Sequence, residues 1–279
     1  TGCLGFIGSY VTRLCLERGW YVKGVDKITY AANTNLLAEF KKYSNFSFVQ
    51  CDINELKFLY DCDYVINTAA ETHVGNSISN SDDFVSSNIN GVHNLLELIR
   101  NYRQENTKVP ATKAAADMLV LAWARTYKIP YVIVRPTNNY GIGQYVEKLI
   151  PKTCKSLKLG RKIPLHNDGT PVRNWLHAED TASSIIKIIE SGVVNEIYNI
   201  AGGFEQSNIV TVCKLINVLT DGEDYDILDY VDTSFSRVGQ DLRYALDDSK
   251  LRSLGWSPEK VFDDEIVKIV NYYKNKFIW

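Results

Sequence analysis

Three glycines at three-residue spacing open the chain, in the stretch TGCLGFIGSY. Glycines placed like Gly2, Gly5 and Gly8 let a backbone turn tightly, approach a pyrophosphate and start a helix against a sheet. The free N–H groups and the positive dipole end of the helix after Gly5 would then hold phosphates. Because glycine turns are common, the triplet alone is equally compatible with an ordinary tight turn.

Asp26 supports the phosphate-binding interpretation, because it ends the apolar run 20–25, eighteen residues after Gly8. A dinucleotide-binding fold places an acid at about this distance, where its carboxylate accepts hydrogen bonds from ribose hydroxyls. An acid there favours NAD over NADP, because a 2′-phosphate would meet like charge, and the adjacent Lys27 weakens that preference. The two features together predict an NAD site at the start of the chain.

Length and composition are those of an ordinary globular protein. The chain has 279 residues, 45% of them hydrophobic and 23% charged, and its net charge of −2 gives no reason to expect binding to nucleic acid or to a membrane. The six cysteines form no Cys-x-x-Cys pair, so we expect reduced thiols and a cytoplasmic location. The four histidines have no metal-ligand spacing, and no apolar run is as long as a membrane span, so neither a metal site nor a membrane segment is expected.

Strand and helix patterns alternate through the first half of the chain. Apolar runs predict strands at 20–26, 46–52, 63–70 and 131–135, and helical spacing predicts helices at 81–103 and 112–127. This order predicts an α/β fold, with a Rossmann-type doubly wound parallel sheet over residues 1–141. After Gly141 the elements become shorter, which predicts a smaller C-terminal substrate-binding domain over 142–279, with some segments returning to the sheet.

Two interruptions break this alternation. A glycine turn of this kind normally follows a strand, yet the chain opens on Thr1, and only residues 108–111 connect two predicted helices between which a strand belongs. We interpret both interruptions as residues left out of the sequence and numbered over. The alternative is a real deletion.

Further candidate residues stand at the ends of the predicted strands, where ligands bind in sheets of this type. Asp52 could contact an adenine amine or cap the following turn. Ala69 and Ala70 would let a flat cofactor lie against the backbone, or would form a plain tight loop. Asn138 and Asn139 could bridge cofactor and substrate hydroxyls, or form Asx turns.

A basic run extends from Lys148 to Lys162, and Arg173 and Arg237 follow it. Most such runs are solvated faces, but arginine suits bidentate contact with phosphate. Because the net charge is low, a diphosphate ligand is favoured over nucleic acid.

In these stretches the chain resembles the extended short-chain dehydrogenase/reductases and, within them, the dTDP-glucose 4,6-dehydratases. The resemblance runs from Thr1 to Trp256, and AAETHV and NNYGIGQYVEKLIPK are its most specific parts. The matching stretches are TGCLGFIGS, VDKITYAAN, QCDI, AAETHVGNSI, ATKAAAD, RPTNNYGIGQYVEKLIPK, HNDGTPVRNWLHAED, EIYNIAGG and GQDLRYALDDSKLRSLGW.

The resemblance implies an NAD-dependent nucleotide-sugar 4,6-dehydratase that forms a homodimer through the helices around Pro110. Its reaction on dTDP-glucose would comprise transient oxidation at C4 by bound NAD, deprotonation at C5, loss of water across C5 and C6, and return of the hydride to C6. Lys113 matches the family's catalytic Lys, whereas Val109 stands at the position of the family's Tyr, and the family's Thr-Asp-Glu segment has no match. Both differences fall at the second interruption, before Ala111.

The resemblance also assigns residues to the two ligands. The residues that would line NAD are Gly2, Gly5, Phe6, Ile7, Gly8, Asp26, Lys27, Ile28, Thr29, Asp52, Ile53, Ala69, Ala70, Glu71, Ser87, Lys113 and Asn139. The residues that would meet the nucleotide sugar are His73, Asn138, Lys148, Leu149, Pro164, Leu165, His166, Arg173, Asn208 and Arg237.

Two other functions remain open from the sequence. One is a different reaction on the same scaffold, either 4-epimerisation or decarboxylation of a glucuronate. The other takes the interruptions literally and makes the protein an inactive module that binds NAD or a nucleotide sugar. The choice among dTDP, UDP and CDP is also open, because it depends on a few loop contacts.

Overall fold

The computed structural model describes residues 1–72, 81–102, 114–236 and 241–275. The described residues form two compact units. The first lies within 1–135, 182–199 and 250–256, and the second lies within 136–181, 200–249 and 257–279. The assignment of NAD binding to residues 1–141 and of substrate binding to residues 142–279 stays a prediction.

The first unit begins with a strand–helix alternation. Helix α1 (Phe6–Glu17) follows the glycine turn, and β1 (Val22–Asp26), α2 (Asn35–Phe40) and β2 (Phe46–Gln50) come next. Strands β1 and β2 are parallel, and their register runs from Val22 opposite Phe46 to Asp26 opposite Gln50. The predictions of strands at 20–26 and 46–52 are confirmed, with ends that differ by up to two residues.

A helical stretch follows in three consecutive parts: α3 (Asp82–Val85), a π-helical turn (Ser86–Asn90) and α4 (Gly91–Tyr102). Helix α5 (Ala114–Tyr127) then leads to β3 (Val132–Pro136). These elements confirm the predicted helices and the predicted strand at 131–135 over the residues that the structure describes.

The elements after β3 include two-residue strands but also helices of 12 to 14 residues, so the prediction of shorter elements is wrong for the long helices. In chain order the elements are β4 (Asn138–Tyr140), α6 (Leu149–Lys158), β5 (Ile163–Pro164), a 3₁₀ turn (His166–Gly169), β6 (Val172–His177), α7 (Ala178–Glu190), β7 (Glu196–Ile200), β8 (Phe204–Ser207), α8 (Asn208–Leu219), α9 (Ile227–Tyr230), β9 (Val231–Asp232), β10 (Arg243–Tyr244), α10 (Ser249–Arg252) and α11 (Phe262–Asn275).

Parallel pairing dominates the described strands. Strand β6 lies parallel to β4 and to β10, and β8 is antiparallel to it. Strand β5 is parallel to β9, and β3 pairs with β7. None of the helices in the described ranges is both long and apolar enough to cross a membrane.

Each unit has its own apolar core. In the first unit, Val92 and Leu96 of α4 pack with Val120 of α5 and Ile133 of β3. In the second unit, Tyr140 and Trp175 pack with residues of α6, α8 and α11, among them Phe262 and Tyr273. The aromatic residues Trp256, Phe262 and Tyr273 are all buried.

The predicted strand at 63–70 is wrong for most of its length, because only Tyr64 makes a bridge there. Thr1 covers the end of this segment: its amino group donates to the carbonyl oxygen of Ile66 at 2.8 Å, and the N of Thr68 donates to the carbonyl oxygen of Thr1 at 3.3 Å. A cavity of about 1070 Å³ lies beside the earlier residues, between them and β1. A strand needs a paired neighbour, and apart from the bridge at Tyr64 residues 63–65 have none among the described residues.

Candidate functional site

The glycine turn brings three segments of the first unit into close contact. Gly2 has φ +69°, and a Cβ on it would lie 2.7 Å from the backbone N of Ala69. A Cβ on Gly8 would lie 2.0 Å from the carbonyl oxygen of Gly2 and 2.5 Å from Oγ1 of Thr68. Only a hydrogen atom fits at these two positions, so both require glycine.

Substitution of Gly8 by alanine should destabilise the protein by about 2 kcal/mol, because the added methyl group meets backbone that cannot move freely. Equilibrium unfolding in urea measures the loss. Gly5→Ala is the matched control, since its Cβ would meet only the Gly2 carbonyl oxygen, at 3.2 Å, and should cost clearly less. Equal losses in the two variants would contradict the close packing.

The first turn of α1 is suited to an anion. Gly5 stands at its N-cap in an extended conformation and has no side chain with which to cap it. The N–H groups of Phe6 and Ile7 belong to the first turn, where a helix offers no internal acceptor. Together with the helix dipole, these groups fit the pyrophosphate of NAD.

Asp26 joins the glycine turn to the loop after β1. Its Oδ2 accepts a hydrogen bond from the backbone N of Leu4 at 3.0 Å, and its Oδ1 accepts one from the backbone N of Ile28 at 2.8 Å. Ile28 has φ +60°, a conformation that a β-branched residue rarely adopts. Each carboxylate oxygen keeps a second lone pair. Asp26 can therefore still accept ribose hydroxyls, as the sequence predicts.

Asp26→Asn should weaken the binding of NAD about tenfold, because the amide keeps one acceptor oxygen and turns an NH₂ group toward a backbone N–H. Titration calorimetry with NAD measures the dissociation constant. Asp63→Asn, on an exposed residue outside the ligand-binding loops, is the matched control. Unchanged affinity in Asp26→Asn would place the ribose elsewhere.

Lys27 is bound to residues outside its own loop. Its Nζ donates to Oγ of Ser87, a buried residue of the π-helical turn, at 2.9 Å, and lies 3.4 Å from Oδ2 of Asp52. Oδ1 of Asp52 accepts hydrogen bonds from the backbone N and Nδ2 of Asn54, at 2.9 and 2.8 Å. Burial raises the pKa of Asp52, but the hydrogen bonds from Asn54 and the charge of Lys27 outweigh burial, so this pKa lies below its ordinary value.

Two asparagines of the helical stretch hold the neighbouring loops. Asn88 accepts from the backbone N of Glu71 and donates to the carbonyl oxygen of the same residue, both at 3.0 Å. Nδ2 of Asn94 donates to the carbonyl oxygen of Ile53 at 2.7 Å. Neither asparagine is among the predicted ligand residues; the one sequence signal is the polar pair 87–88 inside an apolar helical pattern. Both position residues that are predicted to line NAD.

The predicted NAD residues that the structure describes in the first unit thus lie in connected segments. Hydrogen bonds link the glycine turn to the loop after β1, and Lys27 links that loop to Asp52 and Ser87. Thr29 lies in the loop after β1, where its carbonyl oxygen accepts from the N of Ala32 at 3.0 Å.

Asn139 holds together the loop after β4, in the second unit. Its Nδ2 donates to the carbonyl oxygen of Thr137 at 3.0 Å, and its Oδ1 accepts from Oγ1 of Thr181 at 2.6 Å. Nε2 of Gln144 donates to the backbone carbonyl oxygen of Asn139 at 2.8 Å. Asn138 lies in the parallel ladder between β4 and β6. Their predicted contacts with NAD and with the substrate stay predictions.

Several predicted substrate residues surround one apolar cluster of the second unit. Leu149 and Leu165 pack against this cluster, whose buried members include Ile163 and Val212. Leu165 is 2% exposed and its N donates to the carbonyl oxygen of Asp232 at 2.9 Å, so a ligand would meet its backbone rather than its side chain.

The turn that contains His166 packs on the start of α8. A Cβ on Gly169 would lie 2.9 Å from Cβ of Ile209, which follows Asn208. The structure therefore brings two predicted substrate segments together, the turn after Pro164 and the first residues of α8.

Two predicted cations of the second unit are partly buried. Lys148 stands at the N-cap of α6, with its Nζ 3.0 Å from Oε1 of Glu147. Nη1 of Arg173 donates to the carbonyl oxygens of Val172 and Asp241, at 2.8 and 3.0 Å. Their contact with a diphosphate stays a prediction. His73, Lys113 and Arg237 lie outside the described residues, as do Val109 and the predicted gap before Ala111.

Two family models match the chain. The model of the NAD dependent epimerase/dehydratase family covers residues 104–201, and that of GDP-mannose 4,6 dehydratase covers residues 1–110. The low-salt glycan biosynthesis protein Agl12 of Haloferax volcanii is 33% identical over 98% of this chain and 97% of its own length. The dTDP-glucose 4,6-dehydratase of Haemophilus influenzae is 33% identical over 98% of this chain and 96% of its own length.

This chain belongs to the dTDP-glucose 4,6-dehydratase family. A double mutant of the family member DesIV from Streptomyces venezuelae, solved with NAD bound, superposes with a TM-score of 0.89 and 30% identity, over 98% of this chain and 95% of that one. The predicted family and the Rossmann-type α/β fold are confirmed. The chain is an NAD-dependent enzyme of the nucleotide-sugar dehydratase class, and its uncapped helix start and Asp26 fit that cofactor.

Proposed function

We propose that this enzyme converts dTDP-glucose to dTDP-4-keto-6-deoxyglucose. The observation that carries the proposal is Asp26, which binds the glycine turn and the loop after β1 while keeping acceptor lone pairs for a ribose. The dTDP-glucose 4,6-dehydratases among the relatives indicate the substrate. When bound, NAD would supply a reversible hydride acceptor, which suits a reaction whose net result is loss of water.

The residues of this chain have distinct parts in the proposal. The first turn of α1 and Asp26 hold the dinucleotide, while Asn88 and Asn94 keep the loops beside it in place. Lys113 would lower the pKa of a catalytic phenol and orient the nicotinamide ribose. In the second unit, Lys148 and Arg173 would meet the diphosphate, and the turn after Pro164, together with Asn208, would contact the rest of the nucleotide sugar.

The reaction needs a phenol, but Val109 stands at the position of the family's Tyr. It also needs an acid and a base, and the family segment that supplies them has no match in this chain. The alignments with two relatives extend over 305 and 325 residues although this chain has 279, so those relatives carry segments without a match here. We propose that the active enzyme contains such a segment before Ala111. Intact-mass spectrometry of the protein from its natural source tests this: a mass several kDa above 31.6 kDa is expected. A mass of 31.6 kDa would favour the inactive binding module.

The activity itself is tested by incubating the full enzyme with dTDP-glucose and following the sugar by NMR. We expect a 4-keto sugar with a methyl group at C6 and no net change in NAD. UDP-glucose and CDP-glucose are the controls for the choice of base, and both should react more slowly. A product that keeps the C6 hydroxyl would indicate an epimerase, and no product with NAD bound would refute the dehydratase.

We also propose a homodimer and a cytoplasmic location. The dimer would form through α4 and α5, where Met118 exposes 65% of its surface. Light scattering on the purified enzyme tests it, and a monomer mass would refute it. The cytoplasmic location is proposed from cysteine usage, and cell fractionation tests it.

A further inference from the structure

Lys27 is the only cation near the predicted ribose site in sequence. No other Lys or Arg occurs between Asp26 and Phe40, the stretch that contains the loop after β1 and α2. NADP differs from NAD by a 2′-phosphate on this ribose, and a protein that binds it needs a positive group there. Whether Lys27 can serve a 2′-phosphate therefore bears directly on the choice of cofactor.

The structure commits Lys27 elsewhere. Its Nζ lies 3.4 Å from the Asp52 carboxylate and donates to Oγ of Ser87 at 2.9 Å. Ser87 is 5% exposed, so its hydroxyl is a fixed acceptor. Asp52 is fixed in turn, because Asn54 donates twice to its other oxygen. The charge of Lys27 is thus neutralised by a carboxylate that is itself held in place.

Asp26 is the acid that is predicted to meet the ribose. Both of its oxygens accept hydrogen bonds from backbone N–H groups, those of Leu4 and Ile28. The three ionised groups Asp26, Lys27 and Asp52 carry a net charge of −1 beside the ribose. A dianionic 2′-phosphate meets repulsion there, whereas two ribose hydroxyls meet acceptors.

We propose that Asp52 and Ser87 make this enzyme selective for NAD by holding Lys27 away from the 2′ position. The proposal rests on the proposed NAD-dependent function and assigns the choice of dinucleotide to one ion pair. The loop conformation supports it, since the Asp26–Ile28 hydrogen bond holds the backbone on both sides of Lys27. Selectivity for NAD then depends on Asp52, which follows β2, as well as on Asp26, the acid at the end of β1 that would meet the ribose.

The test is direct binding of NAD and of NADP, measured by titration calorimetry on the full enzyme. Asp52→Asn should lower the ratio of the NADP to the NAD dissociation constant about tenfold, because it frees one positive charge. The gain should require Lys27, so the double variant Lys27→Gln/Asp52→Asn, which keeps the wild-type net charge of the three positions, should show the wild-type ratio. Asp63→Asn is the matched acid-to-amide control and should keep the wild-type ratio.

Lys27→Gln alone gives a second test, which does not depend on how Asp52→Asn folds. It should change the ratio less than threefold, because the wild-type cation is already neutralised. A tenfold rise in the ratio would mean that Lys27 already serves the 2′-phosphate, and would overturn the proposal. An unchanged ratio in Asp52→Asn, or a gain that survives in the double variant, would also overturn it. If the wild-type enzyme binds neither dinucleotide, the proposed function fails as well.

Discussion

Replacing Arg135 with leucine should lower the free energy of unfolding by about 3 kcal/mol, because it leaves a buried carboxylate without its cation. Asp117, on α5, is 1% exposed, and its Oδ2 accepts from Nε and Nη2 of Arg135 at 3.1 and 2.9 Å. Its Oδ1 is buried and has no hydrogen-bond partner among the residues that the structure describes. Arg135, on β3, is the only described cation that pairs with it.

Urea unfolding of three variants separates this effect from lost packing. The double variant Arg135→Leu/Asp117→Leu should recover most of the loss, since no buried carboxylate is then left without its cation. Arg18→Leu is the matched control, because the Arg18–Glu190 pair is 38% and 48% exposed and should cost about 0.5 kcal/mol. A loss in Arg135→Leu no larger than in Arg18→Leu would contradict the prediction.

The Arg135–Asp117 ion pair matters for the proposed active site because α5 follows Lys113 directly in the sequence. Asp117 follows Lys113 by four residues, about one helical turn. The ion pair ties the first half of α5 to β3. Loss of stability in Arg135→Leu should therefore come with weaker catalysis, if Lys113 has its proposed role.

The residues that could be predicted from the sequence are those with a local pattern. The glycine turn and Asp26 are recognisable because α1 and β1 have fixed lengths, so that spacing along the chain reports distance in the fold. Helix α8 also has a local pattern, since its apolar positions follow one helical period and Ser207 caps it.

The polar contacts that hold the site were not predictable in this way. The π-helical turn at 86–90 inserts extra length into the helical stretch, which rotates the residues before it relative to α4. Val85, an apolar residue of the predicted helix at 81–103, is 44% exposed, and Ser87 is buried instead. The period of 3.6 residues contains no sign of such a turn. The contacts Lys27–Ser87 and Asn88–Glu71 follow from it, and they join residues far apart in the sequence.

Lowering the pH from 7 to 5 should destabilise the second unit by about 2 kcal/mol through His177 alone. This histidine ends β6, is 5% exposed, and accepts a hydrogen bond at Nδ1 from the backbone N of Glu179 at 3.2 Å. The edge of the ring faces Tyr140, with 5.2 Å between ring centres. Burial lowers the pKa of His177 to about 4, although Glu265 and Glu179 act in the opposite direction.

The sign follows from the two pKa values. In the unfolded chain the pKa of a histidine is about 6.5, so between pH 6.5 and 4 the unfolded state binds more protons. Stability is therefore complete above about pH 6.5 and falls as the pH drops toward 4, by about 3 kcal/mol in total. Protonation of Nδ1 also removes the acceptor that Glu179 needs.

Comparison with His177→Asn isolates this contribution, because the amide oxygen can replace Nδ1 as the acceptor and does not titrate. Unfolding free energies of both proteins at pH 5, 6 and 7 should differ in slope, and the variant should lose about 2 kcal/mol less between pH 7 and 5. Asp180 does not disturb this difference: burial raises its pKa, which favours the folded state as the pH falls, and it does so in both proteins. Parallel slopes would mean that His177 reaches water and titrates near its ordinary value.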